Sequence, residues 1–419
     1  MTQFETNSRS FEYRDGELFV ESVPMKAIAE EYGTPVYVYS GQSIIDAYMG
    51  YENGLKGVPH IICYAVKANG NVALMQLLAE RGAGADLTSA GEMHLAKSAG
   101  ILPERMVFSG VGKTAKEIQT ALELGVLMFN VESSAELDVI AKVAKQIGKT
   151  AHIAVRVNPN VDAKTHPKIS TGLKEHKFGV PWEECAALYE RAASLDCIKV
   201  CGIAAHIGSS LPDAQPLLDA LDKILSLRDE LKEMSIDVPY VDMGGGLGIR
   251  YDKESPISTQ EFALRLQEKI KDSGVTLIVE PGRSIMGNSG VLLCETQYVK
   301  RTADRTFVII NAAMNDLARP AMYGAHHNIA PIVTGKPLET VDVVGPICES
   351  SDVFDKGVSL PESQSGDLLA ICSAGAYGFS MASQYNGRVR CSEVLVEGDS
   401  HRLVRRREEL DELTRLQVY

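Results

Sequence analysis

Between about residues 41 and 285, short apolar runs alternate with longer stretches rich in Ala, Leu, Glu and Lys. That alternation predicts parallel strands joined by crossover helices, since a strand covered on both faces reads as a nearly unbroken apolar run. Eight runs qualify: IICYAVKAN (61 to 69), GAGADLTS (82 to 89), RMVFSG (105 to 110), LMFNVES (127 to 133), AHIAVRVNP (151 to 159), IKVCGIAAHIG (198 to 208), VPYVDMGGG (238 to 246) and TLIVEPG (276 to 282). Eight strand-helix units in about 245 residues match the size of a (β/α)8 TIM barrel. An open, doubly wound sheet is the alternative.

After residue 286 the texture changes to VLLCETQYVK, RTFVIINAA, ETVDVVGPIC, DLLAICSAG and RVRCSEVLVEG, separated by Gly, Pro, Asp and Ser clusters. This predicts a second, all-β domain of sandwich or barrel-like form over 286–419. The first forty residues also hold strand-like pieces, ELFVES and TPVYVYS, so 1–40 is expected to join that domain and 41–285 to form the barrel.

Charge narrows the class of partner. Lys and Arg total 42 against 55 Asp and Glu, a net charge of -13 that repels nucleic acid and anionic membrane surfaces. A small-molecule substrate is expected, with neither nucleic acid nor membrane as partner. The eight cysteines are scattered without CxxC pairs or His-rich neighbours, so neither a metal site nor a disulfide framework is expected, and a reducing cytoplasm fits. The start, MTQFETNSRSFEYRDGELFVESVPM, lacks a basic segment followed by an apolar core, and no later run is apolar for long enough to span a bilayer.

Barrel enzymes carry their chemistry at the carboxyl ends of the strands. Here Lys67 closes the first run, Asp86 the second, Asn158 the fifth, His206 the sixth and Gly244, Gly245 and Gly246 the seventh, while Glu280 and Arg283 follow the eighth. Each alone has an ordinary reading: a lysine reaching for solvent, a tight turn, an ion pair, a histidine bonded in the core. Together they suggest one mouth. An amine beside apolar surroundings loses hydration and becomes a better nucleophile toward a carbonyl. Three glycines after a strand let backbone N–H groups approach a phosphate without Cβ obstruction, and Ser209 would add a hydroxyl. A Rossmann fingerprint is disfavoured, because it belongs in a first βα turn. Cys348, in GPICESSD, reads by default as a buried structural thiol.

YAVKAN (64 to 69), STGLKEHKFGV (170 to 180), HIGS (206 to 209), GGGLG (244 to 248), EPGR (280 to 283), RPAMYGAHH (319 to 327), CESSD (348 to 352) and GAYGFSMASQYN (375 to 386) occur in this order. In these motifs the chain resembles the diaminopimelate decarboxylase family, within the alanine-racemase-like class of pyridoxal-phosphate enzymes, over nearly its whole length. The resemblance implies a barrel plus a β domain, pyridoxal 5'-phosphate as cofactor, and decarboxylation of meso-2,6-diaminopimelate to L-lysine and carbon dioxide as the last step of lysine biosynthesis. It implies that Lys67 binds the cofactor covalently and that His206 stacks on its ring. Glu280 would bond the ring nitrogen, while Ser209, Gly245, Gly282, Arg283 and Tyr377 hold the phosphate. Asp86, Gly244, Gly246 and Pro281 are implied as further cofactor contacts. Cys348 from the neighbouring subunit would protonate the product carbon, making the active unit a homodimer with shared sites. Arg283, Arg319, Tyr323 and Tyr377 would meet the substrate, with Glu349 as its ammonium partner. After HIGS this chain reads SLPDAQP where many relatives have a glutamine directly following.

Two other readings stand beside this one. A related decarboxylase of ornithine, arginine or carboxynorspermidine would share the fold and cofactor, but the Arg319 and Glu349 pair argues against it, because such substrates carry only cationic distal groups. A non-catalytic pyridoxal-phosphate-binding protein could retain Lys67 without needing Cys348 and Arg319.

Overall fold

The computed structural model describes residues 4–161 and 177–418. The chain divides into two compact units: Ala47–Ile249 with Ser255–Ser284, and Met1–Asp46 with Arg250–Glu254 and Ile285–Tyr419.

The first unit is built on eight parallel strands: β1 (His60–Ala65), β2 (Gly84–Leu87), β3 (Met106–Phe108), β4 (Met128–Val131), β5 (Ala151–Asn158), β6 (Ile198–Ala204), β7 (Tyr240–Asp242) and β8 (Thr276–Val279). Each pairs with the next, and β8 returns to β1 through Leu277↔His60, so the sheet closes and the open-sheet alternative falls. Ile61, Cys63, Val107, Met128, Ala154, Cys201 and Ile278 pack together as a buried cluster. The other face of each strand packs outward, so the runs carry no polar alternation. Helix starts are set by local chemistry. Thr114 and Glu117 form a reciprocal capping box, and Ser89, Ser133 and Ser258 each accept an N–H of the first turn of the helix that follows.

The strands are shorter than the apolar runs that foretold them. β1 stops at Ala65, and Lys67 lies in a single 3-10 turn, Val66–Ala68, rather than at the end of a strand. His206 comes two residues after β6, and Gly244 two after β7. At this end the chain leaves the ladder and is tied instead by bonds between loops: Ala65 N–H to Pro281 O (3.1 Å), Glu280 N–H to Gly244 O (2.7 Å) and Ala205 N–H to Asp242 O (2.9 Å). The mouth is therefore irregular in conformation while its backbone polar groups remain satisfied.

The second unit is mostly sheet. Its spine is Gly290–Arg301, whose first half pairs with Val36–Ser40 on one side and Leu368–Ile371 on the other, and whose second half pairs with Thr306–Ile310. Val36–Ser40 also runs parallel to Ser392–Glu397, so the early TPVYVYS segment is a strand of this sheet. Phe11–Arg14 and Glu17–Val20 form a hairpin turning at Asp15-Gly16, both with positive φ, the conformation that an Asp-Gly pair favours. The expected β domain is present, and the helices Met25–Tyr32 and Arg319–Tyr323 accompany its sheet. Two strands, Val353–Pro361 and Ser400–Arg405, escaped the sequence reading because Asp, Lys, Gly, His and Arg interrupt their apolar positions.

Candidate active site

Lys67 Nζ donates a short hydrogen bond to Asp86 Oδ2, pairing the turn after β1 with β2. Asp86 is wholly buried, whereas the lysine side chain keeps 40% of its surface, so a solute can reach the amine. This is neither a lysine lost to solvent nor a sealed core pair. The second oxygen of Asp86, Oδ1, is buried with no hydrogen-bond partner, which leaves acceptor capacity beside the amine.

The turn after β7 comes close to other main chain. Gly244 has φ +64°, and a Cβ there would lie 2.6 Å from Ala205 O; a Cβ on Gly245 would lie 2.3 Å from Glu280 O. Only glycine fits at either position without moving backbone. Gly245 N–H donates to His206 Nδ1 (3.2 Å), so that nitrogen is the unprotonated one. Burial, then the positive charges of Arg156 and Lys67, hold the His206 pKa well below the ordinary histidine value. The ring is neutral at physiological pH and offers an uncharged flat face. Arg283, nearly buried after β8, donates from Nη2 to Ser209 Oγ (3.2 Å), gathering a guanidinium and a hydroxyl. Gly245→Ala is expected to cut cofactor retention by about 10-fold or more, since a displacement of the turn costs more than about 1.4 kcal/mol. Equilibrium dialysis against free cofactor measures it, with circular dichroism to verify folding; unchanged retention would remove the turn from the site.

Beneath the amine lies an acid cluster that the sequence reading did not single out. Asp242, the last residue of β7, is buried beside Glu280. It also accepts from Asn130 Nδ2 (2.9 Å) and Gly244 N–H (2.9 Å). Asn130 donates in addition to Ser109 Oγ (3.1 Å), which donates weakly to Glu280 Oε1 (3.5 Å). Burial raises the Asp242 pKa to about 6. Burial raises Glu280 well above the carboxylate range, with the charges of Asp242 and Asp86 adding to it. The available signal was polarity inside otherwise apolar runs: Asn130 in LMFNVES and Asp242 in VPYVDMGGG. A second buried charge set surrounds the mouth. Arg156 Nη1 meets Glu132 Oε1 at 2.6 Å, and Lys113 Nζ meets Glu136 Oε1 at 2.6 Å.

The remaining predicted residues lie in the second unit. Arg319 opens the short helix Arg319–Tyr323, so it and Tyr323 are four residues apart and share one helix face. Arg319 Nε donates to His327 Nε2 (3.3 Å), and its guanidinium lies 5.0 Å from the Tyr251 ring centre. Cys348 is exposed, and its N–H donates to Asn386 Oδ1 (3.2 Å), so the expectation of a buried structural thiol is corrected. Glu349 accepts from Tyr385 OH (2.8 Å) and Ser351 Oγ (2.9 Å), which together draw its pKa below the ordinary value. Tyr377 has φ +56°, a strained conformation for a tyrosine that a site can exploit. Residues 170–176 of the STGLKEHKFGV motif lie outside the described residues. Among the described residues no group of three His, Cys, Asp or Glu side chains is arranged to hold a metal ion.

An accessible amine, a neutral ring, a glycine turn beside a hydroxyl and a guanidinium, and a buried acid with a raised pKa form a set suited to an aromatic aldehyde that bears a phosphate. Residues 42–287 match the family described as pyridoxal-dependent decarboxylase, pyridoxal binding domain. The chain belongs to that family. Among pyridoxal-dependent decarboxylases, it is 48% identical to the diaminopimelate decarboxylase of Aquifex aeolicus over 404 residues, covering 96% of this chain and 95% of the relative. It is 48% identical to the Pseudomonas aeruginosa diaminopimelate decarboxylase over 410 residues, covering 96% and 97%. The crystal structure of diaminopimelate decarboxylase from M. jannaschii in complex with L-lysine superposes with a TM-score of 0.94 at 39% identity, covering 99% of both chains. The donor set fits the cofactor of this decarboxylase family: Asp86 Oδ1 and Asn130 Oδ1 are buried polar atoms without partners, and the glycine turn presents main chain where side chains would obstruct.

Proposed function

We propose that the chain decarboxylates meso-2,6-diaminopimelate to L-lysine and carbon dioxide, closing lysine biosynthesis, with pyridoxal 5'-phosphate as cofactor. The observation that carries this reading is the Lys67 amine, bonded to buried Asp86 yet reachable from solvent, at the carboxyl mouth of a closed barrel. Near-full-length identity to diaminopimelate decarboxylases supports the substrate. No helix among the described residues is long and apolar enough to cross a membrane, and the cytoplasm is the proposed compartment.

Lys67 Nζ would tie the cofactor, and Asp86 pairs with the amine whenever it is protonated. Gly244, Gly245, Gly246 and Gly282, with Ser209, Arg283 and Tyr377, hold the phosphate, and Pro281 fixes the turn between Glu280 and Gly282. Neutral His206 would lie against the cofactor ring, an uncharged face that leaves the ring's electron-withdrawing character intact. Glu280 would meet the ring nitrogen. When bound, pyridoxal phosphate supplies an electron sink for the pair left behind as carbon dioxide departs. Cys348 Sγ, from a second copy of the chain, gives the proton that the product carbon requires. Arg319, with Tyr323 and Arg283, binds the distal carboxylate, for which a stacked planar guanidinium is suited. Glu349, held as a carboxylate by Tyr385 and Ser351, receives the distal ammonium.

Carbon dioxide release from stereochemically defined diaminopimelate, ornithine, arginine and carboxynorspermidine tests the reaction and substrate together. The meso isomer is expected to give the highest kcat/KM by about 100-fold or more, since a buried charged partner left unpaired costs about 3 kcal/mol. A higher value for ornithine or arginine would overturn the substrate.

A further inference from the structure

We propose that His327 is a positioning residue for Arg319: together with the ring of Tyr251, it sets which edge of the guanidinium meets the distal carboxylate of the substrate. The inference rests on the proposed pairing of Arg319 with that carboxylate. All three side chains belong to the second unit and all are buried, His327 with no exposed surface. Arg319 Nε donates to His327 Nε2 (3.3 Å), and His327 Nδ1 lies 2.9 Å from Cys372 O. A carbonyl oxygen only accepts, so Nδ1 carries the ring proton and Nε2 presents a lone pair. An arginine nitrogen only donates, so the two bonds agree on one neutral tautomer of the ring.

The main chain explains why the ring stands there. Helix Arg319–Tyr323 ends at Gly324, with φ +60°, and the chain turns back into the strand Ile329–Pro331. That strand pairs antiparallel with Leu368–Ile371, and Cys372 N–H donates to Asn328 O (2.8 Å) just past the pairing. His327 is thus pinned twice to one residue of the facing segment, by its neighbour's main chain and by its own ring. Arg319 therefore meets a partner that the sheet holds, not the helix that carries the arginine. His326, next to it in the motif, turns instead to Asn328 Oδ1 (2.9 Å) and Asp355 Oδ2 (3.5 Å) and is partly exposed, so the two histidines do different work.

A guanidinium can meet a carboxylate in two parallel bonds either along Nε and one terminal nitrogen or along the two terminal nitrogens. With Nε engaged by His327, a carboxylate binding in two parallel bonds must use the edge formed by Nη1 and Nη2. The Tyr251 face, 5.0 Å from the guanidinium carbon, steadies the cation, and Tyr251 packs edge-on against His327 with 5.4 Å between ring centres. Tyr251 is itself tied through its main chain, its N–H donating to Glu254 Oε2 (3.1 Å) and its O accepting from Asn7 Nδ2 (2.9 Å). A long, flexible side chain is in this way oriented before the substrate arrives, and binding need not order it.

Competition measurements on the full-length, cofactor-loaded protein test this. L-lysine keeps the distal carboxylate and ammonium of the substrate, and 1,5-diaminopentane is the same chain without the carboxylate. The ratio of their inhibition constants therefore reads the carboxylate contact alone. In His327→Asn the amide can still donate to Cys372 O but does not reach Arg319. That variant is expected to weaken L-lysine about tenfold, the scale of one lost hydrogen bond to a charged group, and to change 1,5-diaminopentane by less than about twofold. The KM for diaminopimelate should rise in step, with kcat the less affected of the two. His327→Gln, whose amide oxygen can stand where Nε2 stands, should recover L-lysine affinity to within about threefold. Equal weakening of both ligands in His327→Asn, an unchanged ratio, or a glutamine variant no better than the asparagine one would each overturn the proposal. Should His327→Asn fail to fold by circular dichroism, Tyr251→Leu decides: a selective loss of L-lysine supports the proposal, and an equal effect on the two ligands refutes it. Arg319→Leu separates this inference from the reading beneath it. If that variant erases the preference for L-lysine while His327→Asn keeps it, the positioning role alone falls. If Arg319→Leu leaves the preference intact, the distal carboxylate is bound elsewhere and both fall.

Discussion

Lys67→Ala is expected to lose the visible absorption of bound cofactor together with the adduct that borohydride would trap, and to lower turnover by about 10^4-fold or more, the scale on which loss of a covalent group acts. The expectation follows from position. The amine is the one that Asp86 meets at the open end of the barrel, and alanine leaves that wholly buried carboxylate without its cation. Some destabilisation accompanies the change, about 3 kcal/mol for breaking a buried pair and less here because the lysine is partly exposed. Chemical denaturation separates this from the loss of chemistry, and a trapped adduct on any other lysine in the folded variant would refute the assignment.

Cys348→Ala is expected to lower kcat by about 10^2 to 10^4-fold while changing KM little, because a positioned proton donor acts on the reacting state more than on binding. Cys348 is the exposed thiol of the chain; the other seven cysteines are buried or half-buried. Exposure on one chain is what a residue completing another copy's site requires. Mixing Lys67→Ala with Cys348→Ala should then restore activity, since each hybrid dimer holds one intact site and random exchange makes half of all dimers hybrids. Recovery should approach about a quarter of the unaltered activity. No recovery after mass spectrometry has demonstrated exchange would rule out shared sites.

The barrel was readable because its strands are covered on both faces, which turns each into a dense apolar run of the right length and spacing. Where each strand ends was not readable, because Lys67 and His206 lie in post-strand turns whose geometry comes from contacts such as Ala65 with Pro281, far away in sequence. The same limit hid the acid cluster. Asp242, Asn130 and Ser109 come from three separated segments and converge only when the sheet closes. The sequence marks glycines 244 and 245 as a phosphate cradle, yet their clearest constraint is the approach of Ala205 and Glu280 main chain. In the second unit, Val353–Pro361 went unread because Asp355, Lys356 and Gly357 break its apolar pattern at the middle.

The loop-to-loop bonds at the carboxyl end of the barrel have a practical corollary for altering this catalyst. Ala65 is bonded to Pro281, and Glu280 to Gly244, so the three loops that bear the amine, the glycines and the acid share one hydrogen-bonded floor. A substitution that shifts one of these loops strains the bonds that tie it to the next, which makes that floor a poor target for randomised libraries. On the proposed substrate contacts, variation aimed at new substrates belongs at Arg319, Tyr323 and Glu349, which lie in the other compact unit.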